Sequence, residues 1–153
     1  MEILPASIRD FGALRKLEQA CFNKDAWSVL DLLAVLSFPE VIRLKAVEDN
    51  QMVGFVAGDP RHSQGWAWLA TIGVDPSYQR RGIGRALLRA CESCVTLRRV
   101  KLTVRMSNQA AIALYEREGY QTVDIWKGYY SDGEDGVVME KELVNMQCAA
   151  RTA

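Results

Sequence analysis

The chain is poor in the residues that hold metals. It has a single histidine, His62, and four cysteines, Cys21, Cys91, Cys94 and Cys148. A closed tetrahedral site needs four ligands at defined spacing. Cys91-Glu92-Ser93-Cys94 supplies half of one and nothing elsewhere completes it, so the pair reads as two small residues on successive turns of a helix and no metal is expected. Disulfides are equally dispensable, because a chain of this size buries enough apolar surface to hold a core without them. An excess of charge of one sign is lacking as well: 19 Lys and Arg offset 19 Asp and Glu. No whole-molecule field then draws the protein onto nucleic acid or an anionic membrane, and any anion site has to be local.

Long apolar runs are missing too. The best candidates, near residues 29–36 and 66–74, are broken by Asp31, Thr71 or Gly73 and fall short of the ~20 residues a bilayer crossing needs. Met1-Glu2-Ile3-Leu4-Pro5 is not a basic segment leading into an apolar one, so no signal peptide is read and a cytoplasmic location is expected. No repeat, low-complexity tract or Pro/Gly/Ser-rich linker divides the chain. Its 153 residues, 49% hydrophobic and 25% charged, fit one domain over 1–144 with a flexible tail over 145–153.

What is present is clear periodicity. A short strand at 2–4 precedes Ser7, a candidate N-cap, after which Ile8, Phe11, Leu14, Leu17, Ala20 and Cys21 recur at helical spacing. Ser28 with Asp31 predicts a capped second helix that Pro39 closes. Strands at 41–47 and 52–57, joined through Glu48-Asp49-Asn50-Gln51, predict a hairpin. A strand over 65–74, a helix over 82–94, a strand over 99–105, a helix over 108–118 and strands over 120–126 and 136–142 follow. This mixture of hairpins and crossovers predicts a mixed sheet.

The most informative segment is Asp75-Pro76-Ser77-Tyr78-Gln79-Arg80-Arg81-Gly82-Ile83-Gly84-Arg85. Glycines at a strand-to-helix junction let backbone N–H groups approach a ligand, and the new helix adds its unpaired first-turn donors and positive dipole end. Arg80, Arg81 and Arg85 cluster there, with donors that suit a pyrophosphate. A P-loop fails for want of Lys-Ser/Thr after Gly84, and a dinucleotide fingerprint fails because its third glycine position is Leu87. On this segment alone, an ordinary loop with solvated arginines is the alternative.

Gln79-Arg80-Arg81-Gly82-Ile83-Gly84 resembles the motif with which GCN5-related N-acetyltransferases hold the pyrophosphate of acetyl-CoA. Ile72-Gly73-Val74-Asp75-Pro76, the run from Ser107 to Glu116, Glu118-Gly119-Tyr120, and Gly128-Tyr129-Tyr130 with Asp132-Gly133-Glu134-Asp135 and Met139 are similar to the RimI-type ribosomal-protein-alanine acetyltransferases. The resemblance is close over 65–140. It implies a three-layer α/β/α fold of the α+β class, with a mixed, mostly antiparallel sheet of about seven strands, splayed in the middle, and about four helices. It further implies acetyl-CoA as cosubstrate, held by the backbone at Ile72 and Val74, by Gln79, Arg80, Arg81, Gly82, Ile83, Gly84 and Arg85, and by Asn108, for which a plain N-cap role is equally open. Gly73 would allow a bulge or close approach in its strand. Tyr115 corresponds to the family's general acid, and Tyr129 and Tyr130 to the wall of a peptide groove, with Glu134 and Asp135 near its mouth. Phe22, Trp27 and Trp126 are expected in the core, and His62 is expected to be exposed.

The chain departs from that pattern at the base. Where the resemblance places a glutamate, Thr103 stands, and residues 68–72 contain no carboxylate. A peptide α-amine of pKa ~7.7–8.0 is nonetheless about one-fifth neutral near physiological pH, whereas a lysine at ~10.4 is neutral about once in a thousand, a gap of roughly 3.4 kcal/mol. An α-amine acceptor is therefore expected, with water held by the Thr103 or Thr71 hydroxyl taking the proton. Two other readings stay open: a small-molecule amine as acceptor, or a CoA-binding module without catalysis. A monomer or weak dimer is expected, with neither nucleic acid nor membrane as partner.

Overall fold

The computed structural model describes residues 1–144; the expected tail over 145–153 lies outside the described residues. In chain order the elements are β1 (Glu2–Pro5), α1 (Phe11–Cys21), α2 (Val29–Ser37), β2 (Ile42–Glu48), β3 (Gln51–Arg61), β4 (Trp66–Val74), α3 (Ile83–Cys94), β5 (Arg99–Arg105), α4 (Gln109–Arg117), β6 (Gln121–Trp126) and β7 (Gly136–Glu142). The strands form a seven-stranded sheet in the order β1-β2-β3-β4-β5-β7-β6. Pairs β1–β2, β2–β3, β5–β7 and β6–β7 are antiparallel, whereas β4 runs parallel to β5, with Trp66–Trp68 opposite Arg99–Lys101. The mixed sheet predicted from the element order, with the mostly antiparallel pairing that the family resemblance implies, is what forms. No helix among the described residues is long and apolar enough to cross a membrane.

Local chemistry sets the element ends. Ser28 Oγ accepts from the Asp31 backbone N–H at 3.2 Å while Asp31 Oδ2 accepts from that of Ser28 at 3.2 Å, which satisfies two of the orphan donors that open α2. Ser7 and Asp10 make the same reciprocal box, but it opens a 3-10 turn over Ile8–Asp10, and α1 begins only at Phe11. Asp49 and Asn50, with φ of 51° and 60°, are the two left-handed residues that a tight hairpin between twisted strands demands.

The chain forms two compact units: Met1–Pro60 with Leu69–Val95, and Arg61–Trp68 with the chain from Thr96 on. In the first unit, α1 and α2 bring Leu14, Leu17, Leu32, Val35 and Leu36 onto Phe55 and Ala57 of β3. The opposite face of β3 receives α3, and glycines set that approach. A Cβ at Gly54 would stand 2.8 Å from Leu87 Cδ1 and 3.2 Å from the Gly73 carbonyl oxygen, and one at Gly58 would stand 2.9 Å from Cys91 Sγ. Gly54→Ala is accordingly expected to cost about 1–3 kcal/mol through overpacking, read as a lower urea midpoint at unchanged m-value. An unchanged midpoint would show that α3 gives way freely.

In the second unit, Val100, Leu102 and Val104 of β5 are buried, and Lys101, Thr103 and Arg105 lie on the other, half-exposed face. Strand β7 adds Val137 and Met139 to this core, while Val138, opposite Thr103, is buried on the other face. Strand β6 is exposed along its whole length at the sheet edge, and its register slips between Thr122 and Asp124, a device that discourages edge-to-edge pairing.

Candidate active site

In the first unit β4 ends at Val74, and the Asp75 backbone N–H donates to the Val53 carbonyl at 2.8 Å. Asp75 Oδ1 accepts from the Ser77 N–H at 2.8 Å and caps a 3-10 turn over Pro76–Tyr78. The Gln79 side chain donates to the Val74 carbonyl at 3.2 Å, so it straps the loop to the strand end. Arg80 and Gly82 then adopt left-handed conformations, with φ of 64° and 79°. Such an alternation turns successive N–H groups toward one side and forms an anion-binding concavity. At Arg80, which has a Cβ, it costs about 1–2 kcal/mol.

Gly82 is the N-cap of α3 and provides no side-chain cap. The first-turn donors of α3 are thus offered outward at the positive end of the helix dipole. Arg80, Arg81 and Arg85 are exposed around it; the Arg81 guanidinium lies 5.0 Å from the Tyr78 ring centre and 4.0 Å from Glu48. Ile83 is 3% exposed, so of this residue only the main chain is available to a ligand.

The C-terminal part of β4 faces α1 and α2. Ala70 lines a groove with Trp27, Val35 and Phe38 beside α2. Its neighbour Thr71 donates its hydroxyl to Glu18 Oε1 of α1 at 3.4 Å. Two residues further on, Gly73 also meets α1: a Cβ there would lie 3.0 Å from the Phe22 ring and 3.3 Å from Cys21 Sγ. The close approach expected at Gly73 is therefore made by Phe22. Ile72 and Val74 point to the other face, and the Val74 carbonyl accepts from Cys21 Sγ at 3.3 Å.

Glu18 is not among the residues singled out from the sequence. It is 3% exposed and accepts from the Trp27 backbone N–H at 3.4 Å as well as from Thr71. Burial pushes its carboxyl above the usual range. A signal for it exists: with Leu14, Leu17 and Cys21 it completes the i, i+3, i+4, i+7 stripe of the inward face of α1, and a charge in such a stripe is rarely there for packing alone.

In the second unit Asn108 Oδ1 accepts from the Ala111 N–H at 3.2 Å. Its N-cap role is thus realised, and the amide nitrogen is the end a ligand would use. Tyr115, further along α4, is 6% exposed and edge-on to Tyr120 at 5.7 Å. Burial first, and then Tyr130, hold its phenol well above the ordinary tyrosine value.

An aromatic row leads toward it. Trp68 meets Trp126 at 6.0 Å, Trp126 meets Tyr129 at 5.3 Å, and Tyr129 meets Tyr130 edge-on at 5.0 Å. The structure thus gathers Tyr115, Tyr129 and Tyr130 in one unit. Trp126 is 37% exposed, which corrects its expected place in the core: on exposed edge strand β6 its ring meets Trp68 and Tyr129 at tilted angles and stays open to solvent. Phe22 and Trp27 are half-buried, and His62 is exposed as expected.

The acidic loop is otherwise engaged. Arg105 lies 4.2 Å from the Tyr130 ring centre and reaches Asp132 and Glu134, each at 2.9 Å. Glu134 also accepts from the Ser107 N–H at 2.7 Å. These bonds, those from Ser107 foremost, hold its carboxyl below the usual range. Asp135 accepts from the Gly128 N–H at 2.9 Å and from Lys127 at 3.1 Å. Both carboxylates brace the loop after β6 and are poor proton acceptors. Thr103 is packed against Gly136, where a Cβ would stand 2.8 Å from its methyl. Burial pushes the thiols of Cys21 and Cys91 up to about 12, so neither supplies a thiolate nucleophile. Among the described residues no cluster of His, Cys, Asp or Glu fits a metal.

A family model described as "Acetyltransferase (GNAT) family" matches residues 11–120. The chain belongs to this family. It is 34% identical over 114 residues to an N-alpha-acetyltransferase of Saccharolobus solfataricus, covering 64% of this chain and 67% of the relative. It is 48% identical over 79 residues to the [ribosomal protein bS18]-alanine N-acetyltransferase of Escherichia coli K12, covering 48% of this chain. That match spans about half, 53%, of the relative's length. The crystal structure of the ribosomal-protein-S18-alanine N-acetyltransferase from E. coli superposes with a TM-score of 0.82 at 30% identity, covering 95% of this chain and 96% of that one. The GNAT fold expected from the resemblance is therefore the fold of this chain.

Proposed function

We propose that the protein transfers the acetyl group of acetyl-CoA to the N-terminal α-amine of a protein, by direct attack in a ternary complex, with residues 1–144 working as one catalytic domain. The observation that carries this reading is the left-handed turn at Arg80 and Gly82 leading into the uncapped start of α3. It presents main-chain N–H groups and arginines to a diphosphate inside the segment matched by the family model. The main chain at Ile72 and Val74 would receive the acetyl and pantetheine groups, and the Asn108 amide nitrogen a pantetheine carbonyl. Bound acetyl-CoA supplies an electrophilic thioester carbon and a thiolate leaving group.

Direct transfer is supported by the thiols. Burial holds Cys21 and Cys91 protonated, and exposed Cys94 is the last residue of α3, at the end opposite the turn that would hold the diphosphate, which argues against an acyl-enzyme. Tyr115, buried and protonated, would donate a hydrogen bond to the departing sulfur. The aromatic row from Trp68 to Tyr130 offers flat apolar walls beside polar edges, suited to an extended peptide end, and the relatives named as N-alpha-acetyltransferases act on such ends.

A thiol-release screen over N-terminal hexapeptides, lysine peptides and small amines tests this. The expected result is kcat/KM at least about 100-fold higher for an α-amine than for a lysine amine at neutral pH, in line with their neutral fractions. Faster turnover of lysine, polyamines or aminoglycosides would overturn it.

A further inference from the structure

We propose that Glu18 and Thr71 form the proton relay for the attacking amine, with the Thr71 hydroxyl touching the amine and Glu18 acting behind it as a positioning residue. This rests on the acetyl-transfer reading above. The reaction must remove a proton from nitrogen as the carbon–nitrogen bond forms. The position where the family resemblance places a carboxylate holds Thr103, and the nearby acidic side chains Glu134 and Asp135 are tied to Ser107, Arg105, Gly128 and Lys127.

Glu18 differs from them in every respect that matters. It is 3% exposed, and both of its partners, the Trp27 N–H and the Thr71 hydroxyl, are neutral donors. Because Thr71 gives its proton to Glu18 Oε1, the lone pairs of its oxygen are left to face an incoming N–H. Thr71 directly precedes Ile72, whose main chain is assigned to the acetyl group, and its bond to Glu18 turns its hydroxyl to the α1 side.

An approach route is present on that side. A groove of about 330 Å³ runs along Trp27, Ala34, Val35, Phe38 and Val41 to Ala70. Trp27 lines it and also bonds Glu18. Asp31 and Asp59 in its wall favour an ammonium ion that deprotonates on arrival.

The step balances as follows. The amine nitrogen bonds to the thioester carbon, an N–H proton passes to Thr71 Oγ1, and the Thr71 hydroxyl proton passes to Glu18 Oε1. The carbon–sulfur bond breaks, sulfur leaves as the coenzyme A thiolate, and Glu18 later returns its proton to water.

The charged surroundings of Glu18 are simple. Cys21 on the same helix is neutral, its thiol pushed up to about 12, and Asp75 at the end of β4 acts on Cys21 rather than on Glu18. Trp27 before α2 and Thr71 on β4 carry no charge. Burial raises the Glu18 carboxyl. Lowering the pH therefore protonates first the amine and then Glu18, and each protonation stops turnover.

The test is log kcat/KM against pH with an N-terminal peptide. The parent is expected to approach a slope of 2 on the acid side. Glu18→Gln should lose about 100-fold at neutral pH and keep a slope of 1, from the amine alone. Thr71→Val should lose a similar factor, and the double variant should lose no more than either single one, as residues acting as a unit do. Coenzyme A binding by calorimetry should be unchanged in all three. A Glu18→Gln slope equal to the parent's, or full activity of Thr71→Val, overturns the relay while the acetyltransferase reading stands. A parent that binds coenzyme A and acetylates no amine sinks that reading and the relay with it.

Discussion

Coenzyme A binding is expected to weaken at least about 100-fold in Gly84→Asp, while the variant remains as stable as the parent. Gly84 is the second residue of α3, half-buried in the turn that follows the left-handed Gly82. An aspartate here would set a negative charge within roughly 4–5 Å of a bound diphosphate. At an effective dielectric near 20 that repulsion is about 3–4 kcal/mol, which corresponds to roughly 100- to 1000-fold in Kd.

The same charge has the opposite effect on the free protein. The first turn of α3 has no acidic residue, and a carboxylate there gains about 0.3–1 kcal/mol from the helix dipole. A lost binding isotherm beside an unchanged or higher Tm would separate ligand repulsion from misfolding. Raising the ionic strength should recover part of the affinity, because the repulsion is screened. Unweakened binding would mean that the diphosphate lies elsewhere, and the assignment of residues 79–85 would fall.

That turn was legible because its chemistry is local. Glycines at a strand-to-helix junction and a gathering of arginines are properties of neighbours in the chain, and the same holds for the N-cap at Ser7, the capping box at Ser28 and the Asp49-Asn50 hairpin. Pairings over long sequence distances were not legible. Glu18 meets Thr71 at a separation of 53 residues, and no local pattern says that the face of β4 carrying Thr71 meets α1. The family resemblance puts a base on the strands, and α1 lies outside that pattern.

Trp126 failed for a related reason. Large aromatics are usually buried, but whether a strand is central or at an edge depends on the sheet order, and β6 lies at the edge beyond β7. Gly54 and Gly58 show the converse: each weakens a strand locally, and only the arrival of Leu87 and Cys91 explains them.

Tyr115→Phe should lower kcat by about 100-fold, or about 2.7 kcal/mol, with little change in KM for acetyl-CoA. The ring contacts with Tyr120 survive the change, so the loss isolates the hydroxyl. Its form of action follows from proton affinity. A free thiol titrates near ~8.5 and an ordinary tyrosine near ~10, so complete transfer from phenol to thiolate is uphill by about 2 kcal/mol, and the burial that raises Tyr115 further makes it steeper.

A hydrogen bond held to the sulfur as charge develops carries no such penalty. The sign of the shift fixes the pH behaviour: the phenol stays protonated below its raised pKa, so no alkaline loss of kcat from Tyr115 is expected up to about pH 10, and loss appears only above it. The leaving group gives a second check. With seleno-coenzyme A, whose selenol is more acidic than the thiol, charge on the departing atom needs less help, and the deficit of Tyr115→Phe should shrink. A deficit of equal size with both leaving groups would place the action of Tyr115 before carbon–sulfur cleavage and remove it from the sulfur.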